Sequence, residues 1–311
     1  MKQVTNKIIM TRPNAFHFNP QTAVNNYFQK QNTHEQNDEI QAKALMEFDS
    51  ATSVLEKAGI EICYFEDTQI PHTPDSIFPN NWFVSIDKNN LCLCSMFAEN
   101  RRNERKKFLS KLFEYNHQVK LDILDLSLYE KDNKFLEGTG AMVLDRIHKV
   151  AFASLSPRCD KELLYIFCEH YGYKPVAFTS YQNFNLKRLP IYHTNVMMAI
   201  CSDFAVVCFE SIDNVKEREF VIRALENCNK EVIALSENQI YNFAGNIIEL
   251  ENKFGEKFVV MSNNAYHCLE DSQIEKISEY AQIISMDISN IEQYGGGSIR
   301  CMIAELFNQS F

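Results

Sequence analysis

Cys301 follows three glycines in the run Gly295-Gly296-Gly297-Ser298-Ile299-Arg300-Cys301-Met302. Consecutive glycines give up conformational entropy and are used where the backbone needs positive φ or close approach, so the run suits a loop that presses a thiol against a ligand. A small buried hydrophobe is the plainer reading of the same cysteine. Upstream lie the other parts a thiol nucleophile requires. His193 stands in Tyr192-His193-Thr194-Asn195-Val196 ahead of an apolar stretch, and Glu137 in Phe135-Leu136-Glu137-Gly138-Thr139-Gly140. Cysteine, histidine and carboxylate together make a nucleophile, its acid/base partner and an orienting group. Taken singly, the histidine reads as a satisfied core residue and the glutamate as part of a turn.

Two further segments carry polar groups in apolar settings. Pro74-Asp75-Ser76-Ile77-Phe78-Pro79-Asn80-Asn81-Trp82 sets polar side chains among Phe78 and the single tryptophan, as a pocket floor would; an Asx turn leading into a strand is the alternative. Ser156-Pro157-Arg158 offers a guanidinium that could grip a carboxylate bidentately or make a surface ion pair. The basic run Arg101 to Lys107 reads as the solvated face of a helix, with Arg101 the exception argued below.

The elements that must position these residues recur along the chain. Ile40, Ala44, Phe48, Ala51, Leu55 and Ala58 have helical spacing that stops at Gly59. A strand 60–65 follows, then a hairpin 82–86/91–97, a helix 104–115 and a strand 119–126. The same order returns as the hairpin 142–144/150–153, helix 161–171 and strand 175–178. It comes again as 196–201/204–209, helix 215–228 and strand 231–235, and a fourth time as 246–251/257–262 with helix 272–281. A period of roughly 55 to 65 residues predicts a closed array of like modules, and no linker rich in Pro, Gly or Ser divides it.

Composition bounds the function. The chain is 45% hydrophobic and 23% charged, with a formal charge of -10, which argues against a nucleic-acid partner because phosphate binding needs a basic face. No window resembles a signal peptide or a membrane span, so a cytoplasmic protein is expected. The ten cysteines are scattered through apolar segments without Cys-x-x-Cys spacing, which predicts reduced, buried thiols and no metal centre.

In this order and setting the Cys, His, Glu and Arg motifs resemble the guanidine-modifying, or pentein, superfamily, which includes arginine deiminases, dimethylarginine hydrolases and amidinotransferases. The resemblance runs from Ile8 to Cys301. It implies an α/β fold, a five-bladed β/α propeller with pseudo-fivefold symmetry, as one catalytic domain over residues 1–311. Position by position, Cys301 matches the nucleophile, His193 the general acid/base and Glu137 the carboxylate that holds the reacting nitrogens. Arg158 matches the arginine for the substrate α-carboxylate, and Asp75 a residue at the amino-acid end. Arg101 matches a further substrate-side arginine, with Arg102 in its place if the register slips by one, and Asn80 is an additional substrate-side candidate.

The departures point to the substrate. Where arginine deiminases carry two aspartates to clamp a guanidinium, this chain has Asn81 and Asn195, and the Glu-Gly-Gly-Asp signature reads Glu137-Gly138-Thr139-Gly140. An amide both donates and accepts, so it suits a neutral ureido head. The pattern resembles the citrulline-utilisation hydrolase branch, whose reaction would turn citrulline into ornithine, carbon dioxide and ammonia through an S-carbamoyl enzyme. Arg300 and protonated His193 are then expected to lower the Cys301 pKa. Succinylarginine dihydrolases are similar in pairing an asparagine with a guanidinium, so deimination of arginine, dimethylarginine hydrolysis and amidino transfer stay open. A non-catalytic, ribosome-binding factor of the same architecture is the reading from another class. The resemblance implies a small amino-acid substrate, no metal or organic cofactor and no membrane partner, and it leaves room for a homo-oligomer.

Overall fold

The computed structural model describes residues 2–31, 34–116 and 121–307. Five separate three-stranded sheets share one pattern, in which the first strand is antiparallel to the second and the second parallel to the third. Four follow chain order: Phe83–Ser85, Asn90–Leu93, Asp122–Asp125; Val143–Asp145, Val150–Ser154, Lys174–Phe178; Met198–Ile200, Phe204–Val207, Glu231–Ala234; and Ile248–Glu251, Lys257–Ser262, Gln282–Met286. The fifth joins distant parts of the chain. Ala304–Glu305 pairs with Lys7–Arg12 through Ile8 opposite Glu305 and Ile9 opposite Ala304, and Lys7–Arg12 runs parallel to Glu61–Glu66.

Helices bridge the second and third strands of every sheet, because parallel neighbours need a crossover. Middle strands such as Val150–Ser154 are buried along their whole length, whereas the outer Glu61–Glu66 alternates. The first crossover helix, Asn37–Lys57, buries Ile40, Ala44, Phe48, Ala51 and Leu55, and Gly59 beyond its end has φ +86°. The predicted periodicity and glycine stop are both there; only Ala58 falls past the helix, half-buried.

Three differences from the sequence reading bear on the site. The helix expected from residue 104 begins at Glu99, so Arg101 joins its first turn and faces inward. The basic run is therefore not simply a solvated face: Arg101 is buried on Glu104, and Lys107 on Asp67 at 2.7 Å. The strand expected over 119–126 spans Asp122–Asp125, with Val119 and Lys120 outside the described residues. A hairpin, Tyr181–Phe184 with Lys187–Pro190, turns through Asn185 and Leu186 at positive φ, a conformation the sequence does not advertise at a leucine.

In two of the loops that precede a sheet's first strand, a glycine lets the backbone press on its neighbour. A Cβ on Gly138 would lie 2.3 Å from Asn80 O, and one on Gly245 2.3 Å from Val196 O. All ten cysteines are free, nine of them buried. Among the described residues no helix is long and apolar enough to cross a membrane.

Candidate active site

Cys301 sits just ahead of the closing strand, in a turn whose backbone N–H donates to Ser298 O at 2.9 Å, and it is 3% exposed. The glycines before it allow close packing. A Cβ on Gly295 would stand 2.6 Å from the Phe78 ring, and Gly296 has φ +62° with Gln29 2.5 Å from its missing Cβ. Asn26 donates to the Gly295 and Gly296 carbonyls, and Tyr192 Oη to Gly296 O, so this loop is tied on both sides.

His193 lies at the mouth of the third sheet with Nε2 2.7 Å from Glu137 Oε2. An ionised carboxylate only accepts, so Nε2 carries the proton and Nδ1 is left to act as a base. Burial brings His193 down to about 4 against the pull of Glu137, which makes it neutral at pH 7. For Glu137 burial works upward, but Arg158 with Nη1 3.5 Å away and the His193 hydrogen bond prevail and hold it at about 2. Its Oε1 accepts the Phe97 N–H at 2.9 Å. Glu137 thus faces His193, Arg158 and the Phe97 N–H, and is not among the residues lining the hollow beside Cys301.

Cys301, His193, Asp75, Asn81, Arg101 and Arg158 line one shared hollow. Asp75 is buried with Oδ2 accepting from Asn19 Nδ2 at 2.7 Å and Thr22 Oγ1 at 3.0 Å, while Oδ1 has no partner. Burial raises its pKa, with Arg101 as the main opposing influence. Arg158 donates through Nε and Nη2 to Asn25 Oδ1 at 2.8 and 2.5 Å and through Nη2 to Thr22 O at 2.7 Å, beneath the Tyr192 ring. The remaining Nη1 lies 3.5 Å from Glu137 Oε2. Arg101 is committed more fully: it donates to both Glu104 oxygens, to Phe78 O and, through Nη1, to Asn81 Oδ1 at 2.7 Å.

The alternative Arg102 donates to the Met96 and Phe97 carbonyls and is outside this hollow, whereas Arg101 lines it. Asn80 also lies outside it, with both amide atoms buried and unpartnered. Asn195 lines a second hollow on the other side, and its Nδ2 is 3.6 Å from Cys301 Sγ.

One expectation about the thiol does not hold: His193 is neutral and lends no positive charge. Arg300 does act to lower the Cys301 pKa, though it is also paired with Glu305 at 2.7 Å and donates to Ile303 O, and burial outweighs it and leaves the thiol raised.

Sequence reasoning passed over Asn19, Thr22 and Asn25, which brace Asp75 and Arg158, and Asn246, whose Nδ2 is 3.2 Å from Cys301 Sγ. Their signals were present. Asn25-Asn26 is a polar pair between the first strand and first long helix, and Gly245-Asn246 lies in the segment just ahead of a sheet's first strand, as the segments holding Glu137 and His193 do.

Residues 12–308 match the family model described as N,N dimethylarginine dimethylhydrolase, eukaryotic. The chain belongs to that family. Membership places it among the C–N hydrolases of the guanidine-modifying, or pentein, superfamily. No curated protein matches it. Among solved structures it is similar to apo ArgZ, an arginine dihydrolase from the ornithine-ammonia cycle in cyanobacteria, with 16% identity and a TM-score of 0.75 over 98% of this chain and 41% of that one. The chain thus spans about two-fifths of full-length ArgZ. The substrate-bound N-terminal domain of ArgZ gives 15% identity and 0.71 over 97% and 99%. A dimethylarginine dimethylaminohydrolase adduct with S-methyl-L-thiocitrulline gives 14% and 0.63 over 96% and 99%. At these identities the likeness establishes a shared mixed α/β fold.

Proposed function

We propose that this dimethylhydrolase-family chain is a single catalytic domain over residues 1–311, with its five modules arranged as a five-bladed propeller, and that it hydrolyses the ureido group of citrulline to give ornithine, carbon dioxide and ammonia. The observation that carries the substrate is at Asn81. Arg101 Nη1 donates to Asn81 Oδ1, which fixes the amide's orientation and leaves Nδ2 buried beside the hollow with no acceptor. An unpaired donor there asks for an acceptor on the ligand. A ureido carbonyl supplies one; a guanidinium has only donors.

In this reading the α-ammonium group pairs with Asp75 Oδ1 and the α-carboxylate with Arg158 Nη1, which holds the ureido carbon over Cys301. His193 Nδ1 takes the thiol proton as sulfur bonds to carbon, and Glu137 stabilises the imidazolium that results. The imidazolium returns that proton to the ornithine nitrogen as the C–N bond breaks, leaving S-carbamoyl-Cys301. Water, deprotonated by the now neutral His193, attacks next, and the carbamate released falls apart to carbon dioxide and ammonia. A neutral thiol and a neutral imidazole, the charge states described above, are the starting point this sequence needs.

The family description and the ArgZ likeness favour a second reading, in which arginine or a methylated arginine is hydrolysed at the same thiol. End-point assays with citrulline, arginine and dimethylarginine supplied separately, with ornithine, citrulline and ammonia resolved by chromatography, distinguish them. Ornithine from citrulline and no product from the others supports the first. Citrulline formed from arginine or dimethylarginine supports the second, and ornithine from both arginine and citrulline would make it a dihydrolase.

A further inference from the structure

Asn246 precedes the fourth sheet and is fully buried. Its Nδ2 donates to the backbone carbonyl of Asn195 at 2.9 Å, and the same nitrogen is 3.2 Å from Cys301 Sγ. The contact with the carbonyl fixes the orientation, because a flipped amide would set oxygen against oxygen. One N–H is therefore spent on the carbonyl and the other is free to meet sulfur. Gly245 makes the approach possible: any Cβ there would collide with Val196 O at 2.3 Å and lift Asn246 from its place.

We propose that Asn246 is a catalytic residue of this hydrolase, the main hydrogen-bond donor to Cys301 as the sulfur becomes a thiolate and again when it is the leaving group of the acyl-enzyme, with the more distant Asn195 Nδ2 as a weaker second donor. It rests on Cys301 being the nucleophile, and not on which ureido or guanidino amino acid is the substrate. The need for it follows from the charges around the thiol. His193 is neutral, Arg300 is paired with Glu305, Arg101 with Glu104, and Arg158 with Glu137. Asp75 lines the same hollow, and Tyr192 packs against His193. No uncompensated cation faces the sulfur among the described residues. An N–H donor to an anion is a charge-assisted bond, stronger than one between neutral groups, and of the influences that oppose burial at Cys301 the Asn246 hydrogen bond is the largest.

The test titrates the thiol without substrate. The thiolate ultraviolet absorbance of wild type minus that of Cys301→Ser, followed against pH, isolates Cys301 from the other nine cysteines. Asn246→Leu removes the donors at similar volume and is expected to move the midpoint up by about one pH unit, roughly tenfold less thiolate at a fixed lower pH. Asn246→Asp, the same shape with an acceptor in place of the donor, is expected to move it at least as far and serves if the leucine variant fails to fold. In both, kcat should fall by a similar factor wherever the thiol and the imidazole are neutral, because the donor is missing as the proton passes to His193 during attack, while KM changes little. An unchanged midpoint in a folded variant, or a loss confined to KM with kcat unchanged, overturns the role of Asn246. Turnover surviving in Cys301→Ser would instead overturn the nucleophile.

Discussion

Replacing Asn81 by aspartate tests the substrate reading with almost no change in shape. Its Oδ1 already faces Arg101 at 2.7 Å, so one oxygen of the new carboxylate keeps that partner and the fold should survive. The other oxygen takes the place of the unpaired Nδ2. A ureido substrate then loses one hydrogen bond, about 1 kcal/mol net, and meets an acceptor with an acceptor, which costs a further 1–3 kcal/mol or so. The sum, about 2–4 kcal/mol, is roughly a 30- to 1000-fold fall in kcat/KM for citrulline. A guanidinium gains a charge-assisted bond from the same change, so the arginine-to-citrulline ratio of kcat/KM should rise further still. Steady-state assays of Asn81→Asp on both substrates decide the matter. Unchanged citrulline hydrolysis, or an equal loss on both substrates, would refute the assignment of Asn81 Nδ2 to a ureido oxygen.

Cys301→Ser should abolish turnover, by on the order of a thousandfold or more, with a melting temperature close to wild type. Glu137→Gln should cut kcat by roughly a hundredfold and also lower stability, since it frees His193 and leaves Arg158 buried without its counter-charge; kinetics and thermal melts read the two effects separately. With His193 held near 4, the unfolded chain binds a proton that the native state refuses between about pH 6.5 and 4, so this residue's contribution to stability falls as pH drops through that window. The stability advantage of His193→Gln over wild type should therefore grow toward pH 4 in paired denaturation curves. Gly138→Ala, at φ +49° with its Cβ 2.3 Å from Asn80 O, should lower the melting temperature by several degrees or prevent soluble expression.

What could be read from sequence was what repeats or stands out chemically. The hairpin-helix-strand order declared itself four times through apolar periodicity, and Cys301, His193 and Asp75 stood out as reactive types beside glycines, aromatics or buried strands. The fifth module did not, because Ala304–Glu305 is too short to show a period and pairs with a strand some three hundred residues earlier. Side-chain direction was equally hidden. Glu137 pairs with Arg158 and His193, and Arg300, expected beside the thiol, also pairs with Glu305, partners that no local sequence signal announces. Asn25 and Asn246 are polar residues in loops, and nothing local distinguishes them from the many asparagines that merely turn a chain.

The ladder between Ala304–Glu305 and Ile8-Ile9 is only two residues long, reinforced where Glu305 sits between Arg300 at 2.7 Å and Arg146 at 3.6 Å. It stands a few residues beyond the nucleophile. Short ladders open more readily than long buried ones, so the clasp is a weak point in series with the chemistry: amide protons of 304–306 should exchange ahead of those in Val150–Ser154. On heating or in mild denaturant, hydrolysis would then fade while most of the helical signal persists, and the enzyme's working range would be set by one small seam and not by the cooperative melting of its core.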